Sequence, residues 1–311
     1  MSEMAITTYE LRKHYSQLRA VDGLNLRVPG GSVYGFLGRN GAGKTSTIKM
    51  LLGLTRPTSG FVRVLDLDPL SDRVAILERT GYTSESKRLY DWMTPAELLR
   101  FTRSFYPFWS KQLEDRYVRR LEIPLRQPFK TLSLGNRTKV CLVLALAQRA
   151  DLLILDEPMP GLDPAVVDEL LRILAEDHLA EGRTVFLSSH QLSEVEQIAD
   201  WVGIIEHGKL LLEARLEDIK SEFRLVTAAG ENLPSFARPE VLSSAQAEGF
   251  WKYVVARDAE GFAARLQQQG AVVTDVSSLN LRQIFLELTR KEEPCTHGNG
   301  GEEIAGVPSP V

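Results

Sequence analysis

The stretch Gly38-Arg39-Asn40-Gly41-Ala42-Gly43-Lys44-Thr45 constrains this chain more than any other feature. Its three glycines let successive backbone N–H groups converge on one point with no side chain in the way, and a helical pattern starts near Thr45. The converging donors therefore sit at a helix N-terminus, which makes an anion nest suited to phosphate. Lys44 reaches the β- and γ-phosphates, the Thr45 hydroxyl is a ligand for Mg²⁺, and Gly38, Arg39, Asn40, Gly41, Ala42, Gly43 and Ser46 complete the nucleotide cradle. Such a loop works only between a buried strand and a helix. The apolar run Ser32 to Leu37 supplies the strand, and the expected fold class is α/β.

A second apolar run, Asp151-Leu152-Leu153-Ile154-Leu155-Asp156-Glu157-Pro158, ends in two carboxylates. In a parallel sheet the C-terminal strand ends face the ligand crevice, so both acids fall beside the phosphate loop. Asp156 is the metal-side acid, and Glu157 stands where a general base for an attacking water is needed. Thr184 to Ser188 and Val202 to Glu206 read as further buried strands, and Thr94 to Arg120 as a helical lobe. The expected organisation is a P-loop NTPase sheet with a helical lobe over 1–217 and a small α+β module over 218–291. Within the module, strands are expected at Phe250 to Arg257 and Ala271 to Val276, with helices at Ala259 to Gln269 and Asn280 to Arg290. A disordered, glycine- and proline-bearing tail is expected over 292–311.

With 311 residues, 43% of them hydrophobic, the chain buries a real core. Its net charge of −4 is no footprint for a nucleic-acid partner, and none is expected. The longest apolar run, Val140 to Ala147, falls far short of the ~18 residues of a membrane-spanning helix. Met1 to Leu11 shows no secretory signal, and the two cysteines, Cys141 and Cys295, form no disulfide framework. The expected location is the cytoplasm.

Four more segments, in order, make a specific resemblance. Leu132-Ser133-Leu134-Gly135-Asn136 lies just upstream of the Asp156 strand, Pro160-Gly161-Leu162-Asp163-Pro164 just after it, and Ser188-Ser189-His190 ends the Thr184 strand. Tyr15 stands 29 residues before Lys44. Over about residues 5 to 217 the chain resembles the ATP-binding subunit of ABC transporters, these segments matching the family's LSGGQ signature, D-loop, switch histidine and adenine-stacking aromatic. The resemblance implies ATP and Mg²⁺ as cofactors, Glu157, His190 and Lys44 as catalytic residues, and Tyr15 on the adenine. Thr45, Asp156 and Glu85 would stand on the metal side, and Ser133 and Gly135 would meet the nucleotide of a second copy across a two-fold dimer. That second copy would be identical or a related ATPase. An integral membrane permease subunit is the implied partner, holding the chain peripherally on the inner face of the cell membrane, with export the implied direction. Asn280 to Thr289 is similar to the accessory segment of drug- and lipid-type exporter ATPases.

The sequence departs from the family pattern at three places. Glu85 takes the position of a metal-touching glutamine, and an ionised carboxylate there donates no hydrogen bond. Leu134 replaces a glycine of the signature and Asn136 a glutamine, while Ser133 and Gly135 are kept. Seven aromatics crowd Tyr90 to Trp109, either as the private core of the lobe or as a docking groove for a permease helix. A soluble ABC-type ATPase without a transport role is the alternative function. A single P-loop and only 89 residues between Lys44 and Ser133, without heptads, weigh against ribosome- and repair-type members. A small-molecule P-loop kinase leaves Leu132 to Asn136 and His190 unexplained, and a non-hydrolysing subunit leaves Glu157 unexplained.

Overall fold

The computed structural model describes residues 4–179, 181–230, 241–247 and 250–289. The chain begins with an antiparallel sheet that its sequence pattern does not announce. Strands β1 (Met4–Tyr15), β2 (Leu18–Leu24) and β3 (Arg27–Pro29) pair in the order β2-β1-β3, and β5 (Ser59–Val64) joins β1. These strands bury only part of their length and their registers shift at several points, so polar residues such as Glu10, Arg12 and Lys13 interrupt any simple alternation.

Between them run β4 (Val33–Leu37) and the helix α1 (Lys44–Leu51), followed after β5 by α2 (Arg73–Glu78) and β6 (Thr80–Thr83). With β7 (Leu152–Asp156), β8 (Thr184–Ser189), β9 (Trp201–Glu206) and β10 (Lys209–Arg215), they form a six-stranded sheet of order β10-β9-β4-β8-β7-β6. Only the β9–β10 hairpin is antiparallel. Its turn uses His207 and Gly208, both at positive φ, as a tight primed turn requires. Strands β4, β7 and β8 are buried at every position. Successive side chains still serve opposite faces. Tyr34, Phe36, Leu152, Ile154 and Phe186 meet α1 and the antiparallel sheet, whereas Val33, Leu37, Leu153, Leu155, Val185 and Leu187 meet the helices on the other side.

The helical lobe consists of α3 (Pro95–Arg103), α4 (Lys111–Arg120) and α5 (Leu134–Leu146). The single helical stretch expected over Thr94 to Arg120 is thus two helices. Pro107 has no N–H and disfavours helix in the residue before it, and Ser110 restarts the chain by accepting a hydrogen bond from the Leu113 N–H. After β7 come α6 (Pro164–Ile173), ending in a π-helical stretch Leu174–Leu179, and α7 (Leu192–Ile198).

The helix α8 (Leu216–Glu222) runs across the expected 217/218 boundary. Beyond it, β11 (Phe223–Ala229), β12 (Val241–Ala247), β13 (Phe250–Ala256) and β14 (Val272–Ser278) form an antiparallel sheet of order β12-β13-β11-β14. The helix α9 (Ala259–Gln268) covers it, packing Phe262 and Leu266 against Val226, Tyr253 and Val255. The last helix, α10 (Leu281–Leu288), does not join that core. Its Leu281, Ile284 and Phe285 belong to the same apolar cluster as Leu192 and Val195 of α7. The expected tail, 292–311, lies outside the described residues.

Candidate functional site

Parallel pairing aligns the ends of three strands: Leu37 faces Ser189, and Asp156 faces Ser188. The phosphate loop leaves β4 there. Gly41 (φ 85°) and Gly43 (φ 112°) adopt backbone conformations that cost an L-residue roughly 1–2 kcal/mol. A Cβ on Gly43 would stand 2.4 Å from the Ala20 carbonyl oxygen, and one on Gly38 2.5 Å from that of Ile205. The loop is therefore glycine-rich for two reasons, turning its N–H groups inward and fitting between β2 and β9. Helix α1 starts at Gly43 with no side-chain cap, so its first N–H groups are available to an anion.

Lys44 is buried. Its Nζ donates to the carbonyls of Gly38 (2.7 Å) and Arg39 (3.3 Å) and forms an ion pair with Glu157 Oε1 at 3.1 Å. The other oxygen of Glu157, Oε2, lies 2.8 Å from His190 Nδ1. A carboxylate only 6% exposed thus stands between an ammonium and an imidazole, the compensation a buried acid needs. Glu157 itself has φ 48°, a left-handed turn that swings its side chain off the end of β7. Asp156 is fully buried and accepts hydrogen bonds from Thr45 Oγ1 (3.0 Å) and Ser188 Oγ (2.6 Å). Burial, followed by the charges of Asp156 and Glu85, pushes the neighbouring Tyr82 phenol up to about 12, so it stays protonated. Burial also lowers the pKa of Lys87, against the raising pull of Cys141, Asp156, Glu157 and Glu85.

Lys44, Thr45 and Glu157 border a cleft of about 340 Å³, whose walls also include Leu18, Ala20, Asn40, Ser46 and Glu85. A larger hollow of about 750 Å³ opens at the opposite strand ends. Most of its charged side chains pair with one another, Arg79 with Asp151 at 2.7 Å and both Arg149 and Arg183 with Glu181. Among the described residues no three His, Cys, Asp or Glu side chains gather as a metal cage. The Thr45 hydroxyl and the Asp156 carboxylate, 3.0 Å apart, are the kind of hard oxygen pair by which Mg²⁺ is held together with substrate phosphates.

The structure brings together Gly38 to Ser46, Asp156, Glu157 and His190, with Glu85 on the rim of the same cleft. Tyr15 is not among the cleft's lining residues. It pairs with Leu18 at the β1–β2 turn, with the Lys13 ammonium 4.9 Å over its ring, and Leu18 and Ala20 form the wall at that corner. Ser133 and Gly135 do not reach the cleft of their own chain. Ser133 caps α5, accepting from the Asn136 N–H at 3.2 Å, and a Cβ on Gly135 would stand 2.6 Å from the Gly161 carbonyl oxygen. The signature therefore rests on the Pro160-to-Pro164 segment. Three features had no sequence signal beyond position: the cleft walls Leu18 and Ala20, the Ser188 hydroxyl on Asp156, and Lys87, which is buried beneath both acids.

A strand-to-helix phosphate nest with its lysine, set beside an acid pair at the end of a parallel strand one removed in the sheet, defines a P-loop nucleoside triphosphatase. Comparison with known proteins narrows this class. The ABC transporter family profile matches residues 21–160. The bacitracin transport ATP-binding protein BcrA of Bacillus licheniformis is 39% identical over 221 residues, 70% of this chain and 72% of that protein. The daunorubicin/doxorubicin resistance ATP-binding protein DrrA of Streptomyces peucetius is 33% identical over 252 residues, 78% of this chain and 73% of its own length. A solved ATP-binding subunit of an ABC transporter superposes with a TM-score of 0.64 at 27% identity, over 70% of this chain and 92% of that one. The chain belongs to the ABC transporter family and is its ATP-binding, ATP-hydrolysing subunit.

Proposed function

We propose that this subunit powers export through a separate membrane permease and does so as a dimer in which each copy completes the other's nucleotide site. The observation that carries the proposal is the Lys44–Glu157–His190 constellation at the mouth of the phosphate loop. The relatives support the direction: one bears the name of bacitracin transport, another of daunorubicin and doxorubicin resistance, and a third, from Paraburkholderia xenovorans and 31% identical over 312 residues, that of Nod factor export. Among the described residues no helix is long and apolar enough to cross a membrane, which fits a permease on another chain, with this subunit docked on its inner face.

In this reading the loop N–H groups take the phosphates, Lys44 exchanges its carbonyl partners for the β- and γ-phosphates, and Tyr15 and Leu18 bracket the adenine. Thr45 and Asp156 would hold Mg²⁺, with Glu85 on the rim of the same cleft, and the ion would supply charge neutralisation at the phosphates. Once Lys44 turns to phosphate, Glu157 Oε1 is free to accept the proton of the water that attacks the γ-phosphorus. The bond to the ADP oxygen breaks as the new P–O bond forms. His190 holds Glu157 in place through Nδ1, and its half-exposed ring is available to a γ-phosphate. Ser133 and Gly135, away from their own cleft, serve the partner's nucleotide with the positive end of α5. Tyr90, Trp92, Phe101, Phe105 and Phe108 are exposed on the lobe, whereas Trp109 is anchored to Glu114 inside it. The five exposed rings form the permease-docking face.

Glu157→Gln tests the base and the dimer together. The variant is expected to bind ATP, to lose hydrolysis by at least ~10²-fold, and to elute as a dimer with ATP and Mg²⁺. Near-normal turnover would remove Glu157 from the base role, and a strictly monomeric variant, even with its permease supplied, would overturn the shared site.

A further inference from the structure

Lys87 has no place in the mechanism above, yet it is 5% exposed and lies directly under the two acids. Its Nζ donates to the backbone carbonyls of Asp156 (3.3 Å) and Glu157 (3.1 Å). Those carbonyls sit where β7 ends, at Asp156, the last residue paired with β8 and one past the last paired with β6, and at the left-handed turn of Glu157. Loss of a hydrogen bond to a buried carbonyl costs about 1–3 kcal/mol, and one ammonium serves two of them here. We infer that Lys87 is a positioning residue for hydrolysis, the group that fixes the Asp156–Glu157 turn and so aims the Glu157 carboxylate into the cleft. The inference rests on the assignment of Glu157 as base and extends it to the residue that orients it.

The loop carrying Lys87 strengthens the assignment. Its turn is closed by the Lys87 N–H on the Ser84 carbonyl at 3.4 Å, and Lys87 has φ 46°. Glu85, two residues earlier, is on the cleft rim, and Tyr90 and Trp92, a few residues later, belong to the exposed aromatic face. One short segment therefore joins the outer surface to the peptide that bears the base. A displacement of the loop moves Lys87 first, and its two carbonyls follow. Because a misplacement of about 1 Å at a reacting group costs up to ~10²-fold in rate, small loop shifts have large effects on hydrolysis.

Steady-state ATPase measurements on the full chain with ATP and Mg²⁺ test this, using Lys87→Arg, Lys87→Gln and Lys87→Met. The arginine keeps a charged donor, the glutamine one neutral donor and the methionine only the bulk. The expected result is a graded kcat, Arg above Gln above Met, with Met at least ~10-fold below the wild type and the KM for ATP unchanged within about twofold. A buried structural lysine would move stability and KM instead. Wild-type kcat in Lys87→Met overturns the inference, as does an equal loss of kcat in all three variants or a rise in KM that accompanies the fall. Should Lys87→Met not fold, the ordering of Arg above Gln at constant KM decides in the same way. Glu157→Gln, assayed in parallel, separates the two claims: if it abolishes turnover while the Lys87 series is flat, only Lys87 loses its role.

Discussion

At the scale of single residues, the chemistry was the most legible part of the chain, because phosphate and water each demand particular atoms. A nest needs glycine, a γ-phosphate contact needs Lys44, and a base must follow the strand that ends at Asp156. What Glu157 touches was not legible, since its partners Lys44 and His190 come from strand ends far apart in sequence. Gly135 illustrates a constraint of the same kind. It lies inside α5, where alanine is favoured over glycine by about 1 kcal/mol, yet its Cβ would press within 2.6 Å of the Gly161 carbonyl. Gly161 sits in a loop at φ 85°, so the loop yields before the helix does. Gly135→Ala is therefore expected to leave thermal stability close to that of the wild type while shifting the Pro160-to-Pro164 segment. In the Glu157→Gln background it should abolish the ATP-dependent dimer seen by size-exclusion chromatography, and an undiminished dimer would show that this packing does not matter.

At the scale of elements, apolar runs bounded by the motifs located the buried strands β4, β7, β8 and β9 to within a residue or two. The antiparallel sheet escaped because its strands are half exposed and carry bulges, which erases the period of two that a pattern needs. The break between α3 and α4 was carried by Pro107 and by the cap at Ser110, both local signals. The start of α3 is equally local. Thr94 and Glu97 form a capping box, Thr94 Oγ1 accepting from the Glu97 N–H at 3.3 Å and the Thr94 N–H donating to Glu97 Oε2 at 2.8 Å. Thr94→Ala should cost about 1 kcal/mol, read by urea denaturation at pH 7. The hydrogen bonds from the Thr94 backbone and side chain hold the Glu97 carboxyl below its ordinary value of 4.5. A carboxyl whose pKa is depressed on folding contributes stability that is fully present above the unfolded value and is lost as pH falls through the folded one. The penalty of Thr94→Ala is thus expected to be constant from pH 7 down to about 5 and to shrink in stronger acid, where Glu97 is protonated in both proteins. A penalty independent of pH down to 3 would mean that the carboxylate adds nothing to the cap.

At the scale of the whole molecule, the unforeseen feature is where the chain's last described helix goes. Sequence periodicity gave α10 correctly as a helix but assigned it no neighbour. It packs Ile284 and Phe285 on α7, the helix that begins two residues after His190, and Thr289 accepts a hydrogen bond from Arg39 of the phosphate loop at 3.2 Å. The C-terminal sheet shares Phe223 and Val254 with the apolar cluster of α7 and α10, but its other face has its own core around Leu266. Two buried truncations of similar size therefore separate the two attachments. Ile284→Ala and Leu266→Ala each remove a fully buried aliphatic side chain, a loss of about 2–5 kcal/mol from the structure it supports. If α10 belongs to the nucleotide-binding unit, Ile284→Ala is expected to speed amide hydrogen exchange in both α10 and Leu192–Ile198 by about 5–30-fold, the factor that 1–2 kcal/mol of transmitted destabilisation gives. Leu266→Ala should speed exchange in β11, β13 and α9 and leave Leu192–Ile198 protected. Unchanged protection of Leu192–Ile198 in Ile284→Ala would make α10 a passenger on the cassette. The expected outcome instead makes the C-terminal module a support for the helix behind His190, so that its docking and the geometry at Glu157 rise and fall together.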